Sequence, residues 1–206
     1  MENYLLQLFR TCLSARYTEV ENGGSFAWER QGDRLFIYFQ HSHGLTDWIH
    51  NISFAAVPFR EMTPNWYCHA GFLRVWESVR PYLDRVMEDP QIKRACVVGY
   101  SHGAALALLC YGYLWAHRPD LRQALCGYGF GCPRVLYGCP PPAVTRRWDH
   151  FFRIENSDDL VARLPPRVSG YCHVGPLVLI GDGGKYTPVD AHRPENYLRE
   201  LSALEL

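Results

Sequence analysis

Residues Ala95–Trp115 read ACVVGYSHGAALALLCYGYLW. The first four residues form a short, unbroken apolar run, which favours a strand buried on both faces of a parallel sheet. From Ala104 onward the segment is almost wholly apolar and has a strongly helical pattern. Between the two lies Gly99-Tyr100-Ser101-His102-Gly103, which matches G-x-S-x-G, the signature of a serine on a sharp turn from strand to helix.

The spacing of this motif gives Ser101 the surroundings of a nucleophile. Glycines two residues to either side let the strand and the helix approach closely. The helix that follows directs its first N–H groups and the positive end of its dipole toward any oxyanion that develops beside the hydroxyl. The alternative is a tight turn whose serine only caps the helix. The apolar strand before the motif and the unbroken helix after it favour the nucleophile.

Strands alternate with helices along the rest of the chain. Ser25 to Arg30 and Arg34 to Gln40 are extended runs around Gln31-Gly32-Asp33, which predicts a hairpin. Helical spacing extends from Gly71 to Val86, and Pro81 is expected to kink or restart that helix. Further strands are predicted at 125–130, 151–154 and 176–180, a short helix within 140–149, and helices at 1–16 and 194–204.

This order predicts an α/β-hydrolase fold with a mostly parallel central sheet, an N-terminal hairpin and helices on both faces. No repeat or linker interrupts the 206 residues, so residues 1–206 are expected to form one domain. The 21 basic residues balance the 21 acidic ones, which gives no long-range attraction to nucleic acid. No apolar run reaches transmembrane length. We expect no nucleic-acid partner and no stable membrane insertion, only transient contact with a lipid interface; the oligomeric state is not indicated.

The cysteines and the N-terminal segment are used to predict the cellular compartment. Three of the eight cysteines, Cys96, Cys110 and Cys126, lie in or beside apolar elements, which suits buried free thiols. No CxxC pair is present. The first 16 residues have the pattern of an amphipathic helix rather than a signal peptide. These features predict a reducing, cytoplasmic setting.

The acid and the base of a serine hydrolase of this fold follow the serine in chain order. Asp158 and Asp159 both stand at the exit of the strand at 151–154, and the residues alone leave both as candidates for the acid. His192 is preferred over His173 as the base. The reason is that the loop beyond the last strand can deliver a side chain to the sheet edge beside Ser101.

The oxyanion side is predicted from the loop after Phe39. Ser42 could supply both its backbone N–H and its hydroxyl, and His102 would supply the N–H next to the nucleophile. The alternative for this loop is a metal pair of His41 and His43 with His50. No cysteine or carboxylate joins them at a familiar ligand spacing, so neither a metal nor a cofactor is predicted. Candidate walls of the acyl pocket are Trp48, Phe54, Phe59, Trp66 and Tyr67.

Several separated segments resemble the class 3 lipases, the fungal-type triacylglycerol lipase family. Taken together and in order, these segments span most of the chain from Phe39 to Leu206. They are Phe39 followed by Ser42 and Asp47-Trp48-Ile49-His50-Asn51, His69 to Phe72, Gly99 to Gly103, Phe130 to Val135, Asp159 to Pro166, and His192 with Tyr197 and Leu198.

The resemblance implies roles for individual residues. Asp159, ahead of Leu-Val and Arg-Leu-Pro-Pro, matches the acid of the family's triad, and His192 matches its base. Ser42 matches the oxyanion hydroxyl, while His69 and Asp47 match structural positions that support the oxyanion loop. The family usually has Arg-Gly before the oxyanion residue, where this chain has Gln40-His41. The segment from Asn51 to His69 leaves little room for a long helical lid.

The predicted function is that of a serine carboxylic-ester hydrolase, a lipase or esterase that cleaves acylglycerols or other acyl esters through an acyl-enzyme on Ser101. Fold and triad do not fix the leaving group, so a phospholipase, a thioesterase or a feruloyl-type esterase stays an alternative. The third possible function is that of a binding module, with a hydrolase fold that is catalytically inactive.

Overall fold

The computed structural model describes residues 3–41, 54–62, 66–138 and 140–204. Its main feature is a seven-stranded sheet with the strand order β1-β2-β3-β6-β7-β9-β11, beside which lies a four-stranded sheet in the order β10-β8-β5-β4. The strands are β1 (Thr18–Glu19), β2 (Gly24–Gln31), β3 (Arg34–His41), β4 (Ala56–Phe59), β5 (Trp66–His69), β6 (Arg94–Tyr100), β7 (Leu125–Phe130), β8 (Leu136–Tyr137), β9 (Phe151–Asn156), β10 (Tyr171–Cys172) and β11 (Leu177–Ile180).

The large sheet is parallel from β3 to β11 and begins with an antiparallel hairpin. β3, β6, β7, β9 and β11 pair in parallel, whereas β1 and β3 both pair antiparallel with β2. Gln31 and Arg34 are register partners, so Gly32 and Asp33 form a two-residue turn, with Gly32 at a φ of 64°. The predicted hairpin and the predicted mostly parallel sheet are confirmed.

Helices cover both faces of this sheet. They are α1 (Tyr4–Ser14), α2 (Ala70–Met87), α3 (His102–His117), α4 (Pro142–Thr145) and α5 (Pro194–Ala203). The core on one face contains residues of α2 and α3, and the core on the other contains residues of α1 and α5. α3 is buried on all sides through Leu114, as its continuous apolar sequence predicts. None of the helices in the described ranges is both long and apolar enough to cross a membrane.

Helix α2 does not restart at Pro81. A kink or restart was expected there, because proline removes one N–H from the helix ladder. The helix nevertheless continues through Pro81 to Met87. Its buried stripe, which includes Trp76, Val79 and Leu83, packs on the core on both sides of the proline. The burial of these side chains outweighs the loss of one hydrogen bond.

The small antiparallel sheet is not predicted by the sequence. Two of its four strands, β8 and β10, are only two residues long. An alternating pattern needs at least four residues to be recognised. The other two, β4 and β5, are four residues long and pair with each other.

The parallel strands all end at one edge of the large sheet. β6 ends at Tyr100, β7 at Phe130 and β9 at Asn156, and each is hydrogen-bonded to the next. Loops that follow such carboxyl ends converge, which is why ligand and catalytic sites of open α/β sheets lie there. The residues singled out in the sequence therefore belong to neighbouring loops.

Candidate active site

Ser101 stands between β6 and α3 in a backbone conformation that is rare for a non-glycine residue. Its φ is 59° and its ψ is −126°. Such a conformation costs on the order of 1–3 kcal/mol and persists only where the surroundings enforce it. The Ser101 N–H donates to the carbonyl of Phe130 (2.9 Å), and the Ser101 carbonyl accepts from the N–H of Ala104 (2.9 Å). These bonds fix the turn between the neighbouring strand and the helix.

The two glycines of the G-x-S-x-G motif are required by close backbone contacts. A Cβ on Gly99 would collide with the carbonyl group of Gly103, and a Cβ on Gly103 would collide with the carbonyl group of Phe39. Both obstacles are backbone atoms, which cannot turn aside as a flexible side chain can. The start of α3 thus lies directly against the end of β3, the strand that precedes Ser42 in the sequence.

Ser101, His192 and Asp159 form a continuous hydrogen-bonded line. The Ser101 hydroxyl donates to Nε2 of His192 (2.8 Å), and Nδ1 of His192 donates to Oδ2 of Asp159 (2.7 Å). His192 and Asp159 are each 1% exposed, whereas Ser101 is half-buried. The serine is accessible, and the base and the acid behind it are shielded from water.

The Asp159 carboxylate accepts hydrogen bonds on both oxygens. Oδ1 accepts from the N–H groups of Val161 (2.7 Å) and Ala162 (3.4 Å), at the 3₁₀ turn Val161–Arg163. Oδ2 accepts from the Tyr197 hydroxyl (2.6 Å) as well as from His192. The Tyr197 oxygen in turn accepts from the N–H of Asn156 (3.1 Å). These hydrogen bonds offset the cost of burying a polar side chain.

His192 is held by its backbone and by its ring. The Tyr100 hydroxyl donates to the His192 carbonyl, and the two rings stack with centroids 5.1 Å apart at 18°. The side-chain amide of Asn156 donates to the carbonyl of Ala191 (3.0 Å). The residue before the nucleophile and the last residue of β9 therefore both fix the loop that carries the base.

Gly131 provides the room in which the acid and the base meet. Its φ is 58°, and a Cβ there would lie 2.7 Å from Cε1 of His192 and 2.9 Å from Oδ2 of Asp159. The residues alone gave no role to Gly131, Tyr197 or Asn156. Gly131 and Tyr197 lie within the segments on which the family resemblance depends, which was the available signal for them.

The two candidates that were not preferred, Asp158 and His173, lie beside the hydrogen-bonded line of Ser101, His192 and Asp159 and are not part of it. Asp158 precedes the residue that contacts His192. His173 donates from Nε2 to the Ala162 carbonyl (2.7 Å), on the turn whose N–H groups hold Asp159. Burial, followed by the positive charge of Arg153, lowers the pKa of His173 to about 3. A histidine that is neutral and bonded in this way supports the acid's loop.

Of the two residues predicted to stabilise the oxyanion, the structure describes His102 but not Ser42. His102 is the first residue of α3, and the N–H groups of a helix's first turn are not used by the helix's own hydrogen bonds. Its ring is buried and packs edge-on against Phe72. Ser42 lies outside the described residues, as does Asp47. His69 ends β5 and caps α2, where Nδ1 accepts from the N–H of Gly71 (3.2 Å).

The five candidate pocket walls have different surroundings. Phe54 and Tyr67 are exposed, at 44% and 53%, and Trp66 is half-buried with its indole N–H donating to the Tyr137 carbonyl (2.6 Å). Phe59 is fully buried in the core on the α2 and α3 side, so core packing accounts for its position. Trp48 lies outside the described residues.

The described residues contain no group of three or more potential metal ligands. His43, His50 and the side chain of His41 lie outside them. The seven cysteines in the described ranges are all free thiols, and five of them are buried.

The model of the family described as lipase (class 3) matches residues 36–169, which is more than half of the chain. The chain belongs to the class 3 lipases. The predicted family is thus confirmed.

Curated relatives of this class 3 lipase family member include two fungal enzymes. The chain is 28% identical over 172 residues to the secreted mono- and diacylglycerol lipase 1 of Fusarium solani, covering 81% of this chain and 50% of that one. It is 25% identical over 168 residues to the secreted mono- and diacylglycerol lipase A of Penicillium cyclopium, covering 77% and 52%. The chain spans about half the length of the curated relatives it matches.

Solved structures of lipases have the same fold. One is a triacylglycerol lipase whose catalytic centre is a serine protease triad (TM-score 0.68, 26% identity, 81% of this chain and 66% of that one). Another is the triacylglyceride lipase of Rhizomucor miehei (TM-score 0.69, 22% identity, 86% and 80%). The predicted α/β-hydrolase fold is confirmed.

The predicted cytoplasmic location is wrong, because the matched relatives are named as secreted lipases. The presence of free thiols does not indicate the cellular compartment. Those of Cys12, Cys96 and Cys110 are enclosed by the core, and burial raises the pKa of Cys12 to about 12. A thiol that packs as a small apolar group is unreactive in either setting.

Proposed function

We propose that this chain is a serine carboxylic-ester hydrolase that cleaves mono- and diacylglycerols, with Ser101 as nucleophile, His192 as base and Asp159 as acid. The main support is the hydrogen-bonded line from Ser101 through His192 to Asp159, which starts on a strained strand-to-helix turn. A serine that only caps a helix needs neither the unusual backbone angles nor a buried histidine and carboxylate behind it.

Acylation starts at the accessible end of the line. As the Ser101 oxygen attacks the ester carbonyl carbon, its proton passes to Nε2 of His192 over the existing 2.8 Å hydrogen bond. The imidazolium that forms is stabilised by Asp159 through Nδ1. His192 then gives this proton to the glycerol oxygen as the ester bond breaks, which leaves an acyl group on Ser101.

The oxyanion of the tetrahedral intermediate is assigned to two residues. One residue is His102, through its N–H, and the other is Ser42, through its hydroxyl and N–H, which makes three donor groups; the dipole of α3 adds its positive end. Deacylation repeats the same steps with water, from which His192 removes a proton before returning it to Ser101. No cofactor takes part in either half-reaction.

The substrate class is proposed from the relatives, two of which are named mono- and diacylglycerol lipases. Exposed aromatic side chains, Phe54 and Tyr67, are candidates for contact with the acyl chain or with a lipid interface. We further propose that residues 1–206 form one catalytic domain, and that it acts outside the cell as its relatives do. The two cores on the faces of one sheet support the single domain.

The test is hydrolysis of monoolein, diolein, triolein and p-nitrophenyl butyrate by the purified protein and by its Ser101→Ala variant. We expect monoolein and diolein to be cleaved, with a loss of about 10⁴-fold or more in the variant. A fluorophosphonate probe should label the unaltered protein and fail to label Ser101→Ala.

Two results would contradict the proposal in different ways. Probe labelling without cleavage of any glyceride would keep the nucleophile and reject the substrate class. An active Ser101→Ala variant would reject the nucleophile itself. Thermal unfolding of both proteins is the control, because a variant that unfolds early would lose activity for another reason.

A further inference from the structure

A second concave site lies at the far end of α3 from Ser101. The cavity has a volume of about 200 Å³, and its lining includes Tyr111, Trp115, Arg122, Arg146 and Arg147. Trp115 is fourteen residues after Ser101, which corresponds to roughly 20 Å along the helix at 1.5 Å per residue. The cavity is therefore separate from the candidate active site.

The lining carries an excess of positive charge. Arg122, Arg146 and Arg147 contribute three guanidinium groups, against the single carboxylate of Asp149. Among the residues that the structure describes, neither Arg122 nor Arg146 forms an ion pair with a carboxylate. The Arg122 and Arg147 guanidinium groups lie at the same Trp115 ring, and like charges this close repel one another unless an anion joins them.

Two of the three arginines, Arg122 and Arg147, pack against the tryptophan. The Arg122 guanidinium lies 3.9 Å from the centre of the Trp115 ring and the Arg147 guanidinium 4.9 Å from it. Nε of Arg122 also donates to the Trp115 carbonyl (2.8 Å). Arg147 is only 6% exposed, and burial together with the charge of Arg122 lowers its pKa. A stacked, buried guanidinium is already ordered before any ligand arrives, which reduces the entropy cost of binding.

We infer that this cavity is a binding site for a small oxyanion, specifically a phosphate group. Guanidinium groups offer paired N–H donors in a fixed fork that matches the oxygens of phosphate. A volume of about 200 Å³ holds a phosphate or a small phosphate ester but not a folded partner or an acyl chain. The Gln123 amide and the His150 ring lie at the same cavity and offer further polar groups.

Binding of inorganic phosphate is measured by thermal unfolding and by titration calorimetry, with sodium chloride at equal ionic strength as the reference. The variants are Arg122→Gln and Arg146→Gln, and the matched control is Arg85→Gln, an exposed arginine on α2. We expect phosphate to raise the unfolding temperature above the chloride reference. The two pocket variants should bind at least tenfold more weakly, and the control should bind like the unaltered protein. Hydrolysis of p-nitrophenyl butyrate should be the same in Arg146→Gln, which shows that this variant is folded.

A second experiment distinguishes a free phosphate from a lipid headgroup. The protein is sedimented with phosphatidylcholine vesicles that contain or lack phosphatidic acid. Sedimentation that needs phosphatidic acid and is weakened in Arg146→Gln assigns the site to a headgroup, and phosphate binding without sedimentation assigns it to a soluble phosphate. The inference is overturned by a phosphate effect no larger than that of chloride, or by one that both pocket variants retain.

Discussion

The Tyr197 hydroxyl donates a 2.6 Å hydrogen bond to Oδ2 of Asp159, the same oxygen that accepts from Nδ1 of His192 at 2.7 Å. Tyr197 lies on α5, is fully buried, and packs against Phe9 of α1. The last helix and the first helix are thereby linked to the candidate acid. Tyr197 contacts no reacting atom, so it acts through Asp159 as a positioning residue.

Tyr197→Phe should therefore lower kcat by about tenfold with little change in KM, because a lost orienting hydrogen bond corresponds to about 1.4 kcal/mol. The free energy of unfolding should fall by about 1–2 kcal/mol, since the N–H of Asn156 also loses its acceptor. Tyr186→Phe is the matched control, because the Tyr186 hydroxyl bonds Glu200 away from the triad (2.6 Å). Equal kinetic losses in both variants would show that the effect of Tyr197 is only structural.

Gly131→Ala should reduce kcat/KM by about 100-fold or more, because a methyl group would displace His192 or Asp159, and a displacement of about 1 Å is enough for such a loss. A positive φ also strains any alanine, so the control must share that strain. Gly184 has a φ of 70° and nothing within 4 Å of a Cβ. Gly184→Ala should lose stability yet keep its activity. If both variants are equally active when folded, Gly131 does not provide room for the triad.

The sequence predicts best where a long, continuous pattern determines the structure. β6, its turn and α3 follow from an apolar strand, a five-residue motif and an apolar helix. β8 and β10 are too short for any pattern and exist only because they pair with other strands. The same distinction applies within the site. Ser101 is predicted by its motif, whereas a role for Gly131 depends on a backbone angle and on side chains that approach from later loops.

The choice between neighbouring aspartates shows a second limit. Asp158 and Asp159 are equivalent in the sequence, and only the family resemblance favoured Asp159. In the structure the difference comes from the turn at Val161–Arg163, whose N–H groups bond Asp159 and direct its other oxygen toward His192. Such a preference arises from tertiary contacts, since the turn is itself held by His173 through Ala162.

His173 should make the protein less stable in acid. Burial, followed by the charge of Arg153, lowers its pKa from 6.5 to about 3 in the folded state. The unfolded chain thus binds a proton below pH 6.5 that the folded chain does not, and the free energy of unfolding falls by up to about 1.4 kcal/mol per pH unit. Glu155 opposes this between pH 6 and 4.5, because burial raises its pKa from 4.5 to about 6. The net loss is expected mainly just below pH 6.5 and again between pH 4.5 and 3.

His173→Gln tests this dependence, because glutamine can still donate to the Ala162 carbonyl and does not titrate. By pH 4.5 the variant should have lost about 2–3 kcal/mol less of its neutral-pH stability than the unaltered protein. Urea unfolding at neutral pH, pH 4.5 and pH 3 measures the difference. His150→Gln, at an exposed histidine, should follow the unaltered protein. Parallel curves for His173→Gln and the unaltered protein would mean that His173 is not kept neutral by the fold.

Asp159→Asn and Asp158→Asn form the sharpest pair of variants for the candidate acid. The side-chain amide of asparagine at position 159 can donate to Nδ1 of His192, and the ring proton would then stay on Nε2. A protonated Nε2 cannot accept the Ser101 proton, so kcat should fall by about 10⁴-fold. Asp158→Asn should keep activity within about threefold, because the hydrogen bond to His192 comes from the next residue. The two variants are compared by their initial rates on p-nitrophenyl butyrate and by their unfolding temperatures. A large loss in Asp158→Asn beside an active Asp159→Asn would transfer the role of the acid to the neighbouring carboxylate.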